Sequence, residues 1–129
     1  MGGFFGVVSQ NDAVLDAFFG TDYHSHLGTR RAGMAAVNSE LGLQRKIHKI
    51  ENSPFRTKFE NILNEMKGKS AIGCISDTDP QPLLIRSSLG TFAITTVGII
   101  NNADALIDNY LSFSGGHFDA MTGGKINST

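Results

Sequence analysis

Residues 2–9 of this 129-residue chain read Gly-Gly-Phe-Phe-Gly-Val-Val-Ser (GGFFGVVS). Phenylalanine and valine dominate the stretch, and the polar pair Gln10-Asn11 follows it. Aromatic and β-branched residues bounded by polar turn residues are typical of a β-strand. We therefore predict a buried strand at the very start of the chain.

A first helix is predicted directly after this strand. Asp12 can cap it, because a carboxylate accepts hydrogen bonds from the free backbone N–H groups of a first turn. Four apolar residues follow at spacings that place them on one helical face: Val14, Leu15, Phe18 and Phe19. By local rules alone, Gly20 would mark the end of this helix.

Further strands are predicted from apolar and β-branched runs. They are Ala32–Val37, Ala71–Ile75, Leu83–Ser87 and Phe92–Ile100. The last run is apolar on both faces, which favours a central strand covered on both sides. The stretch Leu41–Ile50 alternates only weakly between apolar and charged residues.

A second helix is predicted from residue 53 onward. Ser53 suits the N-cap and Pro54 the first helical position, and Lys67-Gly68-Lys69 closes the helix. Arg56 and Glu60 are spaced to form an i,i+4 ion pair. The apolar face consists of Phe55, Phe59, Ile62, Leu63 and Met66.

A third helix is predicted after Asn102, which suits its N-cap. Its buried stripe would consist of Leu106, Ile107, Tyr110 and Leu111. From Ser112 onward glycine and serine dominate, and 123–129 resembles a strand or linker cut short. Because strands and helices do not alternate regularly, the order favours an α+β fold with antiparallel sheets.

Composition excludes several classes of function. The formal net charge of −1 provides no basic face for nucleic acid, and the short pair Arg30-Arg31 is interpreted as solvated surface charge. The single cysteine, Cys74, excludes an internal disulfide and fits a reducing compartment. We find neither a signal peptide nor an apolar run of about 18 residues. The sequence predicts a soluble cytoplasmic protein without cofactor, metal, nucleic-acid partner or membrane association.

Three segments together resemble one family. Gly2–Val7 (GGFFGV) resembles the Cys-Gly-[Ile/Val]-Phe-Gly-[Ile/Val] start of class II glutamine amidotransferases. His26–Met34 (HLGTRRAGM) resembles the His-Arg-Gly-Gln-Glu-Ser-Ala-Gly-Ile segment of amidophosphoribosyltransferases. Gly90–Leu106 (GTFAITTVGIINNADAL) resembles their Gly-x-[Ile/Phe]-Ala-x-x-His-Asn-Gly-x-[Leu/Ile]-x-Asn-Ala-x-x-Leu stretch. In addition, Gly73–Leu83 can be laid on their Gly-His-x-Arg-Tyr-Ser-Thr…Gln-Pro-Phe segment with a shortened loop.

The resemblance implies the glutaminase domain at the N-terminus of an amidophosphoribosyltransferase of purine biosynthesis. The expected fold is a four-layer αββα sandwich, with two antiparallel sheets between helices, of the N-terminal-nucleophile (Ntn) hydrolase type. Family members carry the first helix through the position of Gly20 towards His26. We expect residues 1–129 to be one domain from the N-terminal part of a longer, homo-oligomeric protein. Its partner would be a downstream phosphoribosyltransferase-like domain.

The family's functional side chains are missing at the matching positions. Gly2 stands at the nucleophilic cysteine, whose thiolate attacks the amide of glutamine. Ser76 stands at the arginine that grips the substrate carboxylate, with Asp77 after it. Val97-Gly98 replaces the Asn-Gly pair of the oxyanion hole. Ser128 stands at the aspartate that holds the substrate amine. Framework positions of the family are kept: Gly3, Gly6, Gly28, Gly33, Gly98, Asn102 and Ala103.

Three functions follow as hypotheses. The first is a non-catalytic glutaminase-like domain, kept for a structural or regulatory role. The second is a module that senses a small ligand in the emptied pocket. The third is an active amidotransferase of altered mechanism, with Cys74 or Ser76 as a relocated nucleophile, although no cation adjacent in sequence would lower the pKa of Cys74. His24 and His26 would face different sides of a helix, so a metal site is not predicted there.

Overall fold

The computed structural model describes residues 2–27, 30–77 and 79–114. Its elements run β1 (Gly3–Val8), α1 (Val14–Tyr23), a 3₁₀ turn (Ser25–Leu27), β2 (Arg31–Asn38), β3 (Gly42–Lys49), α2 (Phe55–Phe59), α3 (Ile62–Glu65), β4 (Ser70–Ser76), β5 (Leu83–Ser87), β6 (Gly90–Ile94) and α4 (Ala103–Ser114). The chain divides into two compact units, Met1–Val97 and Gly98–Thr129. The second unit contains α4.

The first unit contains two antiparallel sheets. Strands β1, β4, β2 and β3 lie side by side in that order, and β5 pairs with β6. An α+β fold with two antiparallel sheets and helices is therefore confirmed. Strand β1 pairs with β4, which is far from it in sequence, and forms an edge of the sheet. Its residues alternate between more and less exposed, and Phe4 and Val8 are 53% and 85% exposed, so the predicted strand is present but is not buried on both faces.

One face of the four-stranded sheet is covered by the helices that precede and follow β2 and β3. Small residues on the strands let α1 approach closely, and large side chains from α1, α2 and α3 fill the space above them. Phe55 and Phe59 stack with their ring centroids 4.5 Å apart, and Phe18 packs on Phe55 at 5.4 Å. The buried core is made of Ala13, Val14, Ala17, Phe18, Ala32, Met34, Ala36, Phe55, Phe59, Ile62, Met66, Ala71 and Ile75.

The first helix differs in two ways from the local prediction. It continues through Gly20 to Tyr23, as the family resemblance implied. A side chain at position 20 would overlap the ring of Phe5, so glycine serves helix–strand packing there rather than ending the helix. Leu15 and Phe19, predicted on its apolar face, are 49% and 50% exposed. The buried face instead consists of Val14, Ala17, Phe18 and Thr21.

The second predicted helix is interrupted. It forms two short helices, α2 and α3, and Ser53 makes no side-chain cap because Pro54 is the N-cap. Arg56 pairs with Asp22 on α1, at 2.6 Å between Nη2 and Oδ2, and not with Glu60. Tertiary packing of the phenylalanines against α1 brings Arg56 to this partner, which a local helical rule cannot foresee.

The strand predicted over Phe92–Ile100 is also shorter than expected. It ends at Ile94 and belongs to the two-stranded sheet, so the interpretation as a central strand was wrong. The weakly alternating stretch Leu41–Ile50 contains strand β3. Leu106 and Tyr110 on α4 are about half exposed. The residues predicted as a strand or linker, 123–129, lie outside the described part of the chain.

Two glycines permit close contacts on opposite faces of the sheet. A Cβ on Gly73 in β4 would overlap the hydroxyl of Thr21, which donates to the Ala17 carbonyl at 2.7 Å. A Cβ on Gly33 in β2 would overlap the backbone carbonyl of Gln81 and lie 2.7 Å from Pro82 Cδ. The segment before β5 therefore crosses β2 at a distance that only glycine allows.

We expect Gly33→Ala to destabilise the fold by about 1–3 kcal/mol or more, because the added methyl meets backbone atoms that cannot rotate away. Gly6→Ala is the matched control, since its Cβ would lie 3.6 Å from the nearest atom of Ile72, in ordinary contact. Urea unfolding measures both. Equal midpoints for the two variants would show that the crossing is not as close as described.

Candidate functional site

Gly2 lies at the end of the four-stranded sheet where β4 also ends. Gly3 pairs with Ile75, which brings Gly2 next to Ser76. A Cβ built on Gly2 would overlap the carbonyl oxygen of Ile75 and lie 3.5 Å from the Cα of Ser76. Two residues predicted from separate segments are therefore adjacent, and the backbone leaves no space for a side chain on Gly2.

Arg31 on β2 lies on the other side of Ser76. The two residues are direct cross-strand partners, and Arg31 is also opposite Lys49 on β3. Directly opposed residues of an antiparallel pair carry their side chains on the same face. Arg31 is half-buried and has a partner within the chain, as do Ser76 and Asp77. Arg31 is therefore less solvated than its neighbour Arg30, which is exposed.

Asp77 is held over the start of β2. Its Oδ1 accepts a hydrogen bond from the backbone N–H of Arg30 at 3.1 Å. The end of the sheet thus combines two cationic side chains, Arg31 and Lys49, with the carboxylate of Asp77. The two cationic residues lie on strands β2 and β3, and the anionic residue directly follows β4.

Gln81 is buried and connects β4 to the segment after β6. Its Oε1 accepts from the hydroxyl of Thr95 at 2.9 Å and from the backbone N–H of Thr96 at 2.7 Å. The thiol of Cys74 lies 3.8 Å from the same oxygen. This network places residues 95 and 96 beside Cys74, which lies two residues from Ser76 along β4, and Val97 follows Thr96 in sequence.

Cys74 is fully buried on β4. Burial raises the pKa of its thiol above the ordinary value, and a hydrogen bond with Thr95 lowers it to a smaller extent. A thiolate, the reactive form, is disfavoured in such surroundings. The structure therefore gives Cys74 the character of a packed core residue.

Asp79 is a second carboxylate in the segment that crosses β2. It is 6% exposed, and no described residue donates a hydrogen bond to its Oδ1. A buried carboxylate oxygen without a donor costs free energy unless a ligand or water supplies one. Asp79 and Gln81 were not among the site residues predicted from sequence, because their burial depends on the crossing over Gly33.

The other predicted positions are Val97, Gly98 and Ser128. Val97 is the last residue of the first unit, whereas Gly98 belongs to the second and has a φ of 141°. That φ favours glycine. Ser128 lies outside the described residues.

The histidines do not form a ligand set within the described ranges. His24 Nδ1 hydrogen-bonds to the carbonyl of Gly20 at 2.7 Å, and its ring lies over Gly3. His48 packs edge-on against Phe59. Residues 2–27, 30–77 and 79–114 contain no cluster of three or more His, Cys, Asp or Glu side chains suited to a metal, and none of their helices is long and apolar enough to cross a membrane.

A cavity of about 340 Å³ opens between the two sheets, away from the Gly2–Ser76 end. Its walls are mainly apolar and include Val8, Val37 and Ile72 from the large sheet and Phe92 from the small one. It contains none of the charged groups described above. We therefore treat it as separate from the candidate site.

No protein-family model matches the chain, and no curated protein matches it in sequence. Solved structures do. One is an allosteric regulatory enzyme of purine biosynthesis, with 27% identity and a TM-score of 0.70 over 93% of this chain and 27% of that one. Another is the glutamine phosphoribosylpyrophosphate amidotransferase of B. subtilis in complex with ADP and GMP, with 28% identity and a TM-score of 0.70 over 92% of this chain and 26% of that one.

The chain spans about a quarter of the length of these enzymes. The matched region carries the two antiparallel sheets and helices expected of an Ntn-hydrolase-like domain. The chain thus has the fold of the glutamine amidotransferase domain of phosphoribosylpyrophosphate amidotransferases.

Proposed function

We propose that this chain is a non-catalytic glutaminase-like domain of an amidophosphoribosyltransferase-like protein of purine biosynthesis, retained for a structural or regulatory role. The observation that carries the proposal is the position of Gly2. It stands where the family has its nucleophilic cysteine, and its backbone is packed against Ile75 and Ser76. Gly2 itself carries neither a thiol nor a hydroxyl to attack an amide.

The other groups needed for hydrolysis are also replaced. Ser76 stands where a guanidinium would grip the substrate carboxylate, with Asp77 after it, and the side chain of Val97 cannot donate a hydrogen bond to an oxyanion. Loss of one oxyanion donor alone typically costs on the order of a hundred- to a thousandfold in rate. Several independent losses on a preserved backbone are better explained by a fold kept for another role than by a damaged enzyme.

The context of the parent protein belongs to the same proposal. The similar solved enzymes are about three and a half times as long as this chain, since 93% and 92% of it cover 27% and 26% of their lengths. We propose that a phosphoribosyltransferase-like domain follows in the parent protein, that the protein is a cytoplasmic homo-oligomer, and that residues 1–129 act as one domain in it. Ser128 would take the position of the family's amine-binding aspartate.

A single restored nucleophile should not restore activity. We expect neither the chain with Met1 removed nor its Gly2→Cys variant to release glutamate from glutamine above a buffer blank. Cysteine at position 2 would still lack the oxyanion donor and would push against the Ile75 carbonyl. An enzyme-coupled glutamate assay measures the release, with circular dichroism to establish that both proteins are folded. Turnover by the unmodified chain would refute the proposed function, and turnover by the variant alone would show that the other losses are overstated.

One alternative, an active amidotransferase with Cys74 as the relocated nucleophile, predicts a reactive thiol. We expect instead that iodoacetamide labels Cys74 at least tenfold more slowly in the folded chain than in urea, because the thiol is buried and its pKa is raised. The difference should narrow as pH rises through the raised pKa, where the folded-state thiolate forms. Mass spectrometry follows the adduct. Equal labelling rates in folded and unfolded chain at neutral pH would revive Cys74 as a candidate nucleophile.

A further inference from the structure

We propose that helix α1 carries a self-association surface, through which two copies of this chain pair with their α1 helices antiparallel. The surface consists of Leu15, Phe19 and Tyr23, which we call the α1 ridge. The proposal goes beyond the non-catalytic function and does not depend on it, because the pairing of two copies needs no reaction with glutamine.

The outward face of α1 is largely apolar, whereas the outward face of a surface helix is normally polar. Four residues of the helix are exposed, and only Asp16 among them is charged. The other three form the α1 ridge: Leu15 and Phe19 are half-exposed, and Tyr23 is 76% exposed. Single exposed apolar side chains are ordinary, but a contiguous row of three indicates a surface for a partner.

The spacing of the α1 ridge fits a second helix of the same kind. Residues four apart form an i±4n ridge, and two such ridges interdigitate in the commonest type of helix packing in globular proteins. The ridge is about 12 Å long, since eight residues separate its ends. A second copy of the chain supplies a ridge of the same length and spacing, and a contact that uses one surface twice closes as a dimer.

The aromatic side chains of the α1 ridge are already ordered by the chain itself. Phe19 packs edge-on against the buried ring of Phe18, with 5.4 Å between the ring centroids. The guanidinium carbon of Arg56 lies 5.6 Å from the centroid of the Phe19 ring. Tyr23 packs edge-on against His26 at 6.2 Å. Side chains that are ordered beforehand lose less entropy when a partner covers them.

The charges beside the α1 ridge are self-complementary. Arg56 and Asp22 form an ion pair on one flank, so each copy presents one cation and one anion there. Antiparallel pairing brings Arg56 of one copy towards Asp22 of the second. The five N–H donors of a guanidinium can serve both carboxylates, so no ion pair has to be broken. The formal net charge of −1 adds little repulsion between the copies.

The antiparallel direction has two further supports. It places the positive N-terminus of each α1 beside the negative C-terminus of the other. With Phe19 at the two-fold axis, the two Asp16 carboxylates on the opposite flank lie about 9 Å apart along the helix axes, a separation that physiological salt largely screens. In this register Leu15 of one copy faces Tyr23 of the second.

Sedimentation velocity of the full chain between about 10 µM and about 1 mM tests the proposal, together with the concentration dependence of amide shifts in the ¹⁵N-labelled chain. We expect a reversible change towards twice the monomer mass. The dissociation constant should be on the order of 0.1 mM, because a single short helix pair buries less than the roughly 1,000 Å² of a stable interface. The shifted amides should be those of residues 15–23 and of Arg56.

Phe19→Ser should weaken self-association roughly tenfold or more, because Phe19 lies at the centre of the contact. Leu89→Ser is the matched control. Leu89 is an exposed apolar residue in the turn between β5 and β6, and its replacement should leave the dissociation constant unchanged. Urea unfolding establishes that both variants are folded.

A charge exchange tests the register of the pair. Leu15→Glu alone and Tyr23→Lys alone should each weaken self-association, and the double variant should recover most of it, because the introduced carboxylate and ammonium then face each other. In a parallel pair each introduced charge would face its own copy, and the double variant would not recover.

The proposal is overturned if the chain stays monomeric at about 1 mM, a result that leaves the α1 ridge to another domain of the parent protein or to an unrelated protein. It is also overturned if Leu89→Ser weakens self-association as much as Phe19→Ser, or if the double variant associates no better than the single ones. Glutamate release by a chain that dimerises would refute the non-catalytic function alone.

Discussion

The crossing of the Gln81–Pro82 backbone over Gly33 is the contact on which the arrangement of the first unit depends. It fixes how closely the segment before β5 approaches β2, because any side chain at position 33 would overlap the Gln81 carbonyl. Arg45 on β3 donates to the Pro82 carbonyl at 3.2 Å and holds the same segment from the neighbouring strand. Once the segment is in place, the amide of Gln81 is buried beside Cys74 and orders residues 95 and 96.

Under the proposed function, this constraint explains how the backbone of a hydrolase site persists without its chemistry. Pairing of β1 with β4 sets the positions of Gly2 and Ser76, and the Gln81 amide orders residues 95 and 96, just before Val97. The end of the sheet carries three charged residues, Arg31, Lys49 and Asp77.

Much of the fold could be predicted from the sequence, since β1, β2, β4 and β5 are short apolar runs and the motif order resembles one family. The failures share a physical cause. Gly20 continues a helix because Phe5 packs against it, and Arg56 chooses Asp22 because α2 docks on α1. The candidate site was also predicted only in part. The family motifs located Gly2 and Ser76. The pairing of Arg31 with Ser76 depends on strand register, and the burial of Asp79 and Gln81 depends on the crossing over Gly33.

The central claim, that the glutaminase framework is kept without its chemistry, is tested most directly by following [amide-¹⁵N]glutamine with the folded, Met1-free chain by NMR. The account predicts that labelled ammonium accumulates no faster than with the heat-denatured chain over a long incubation. Ammonium release that requires the folded chain and saturates with glutamine would contradict it.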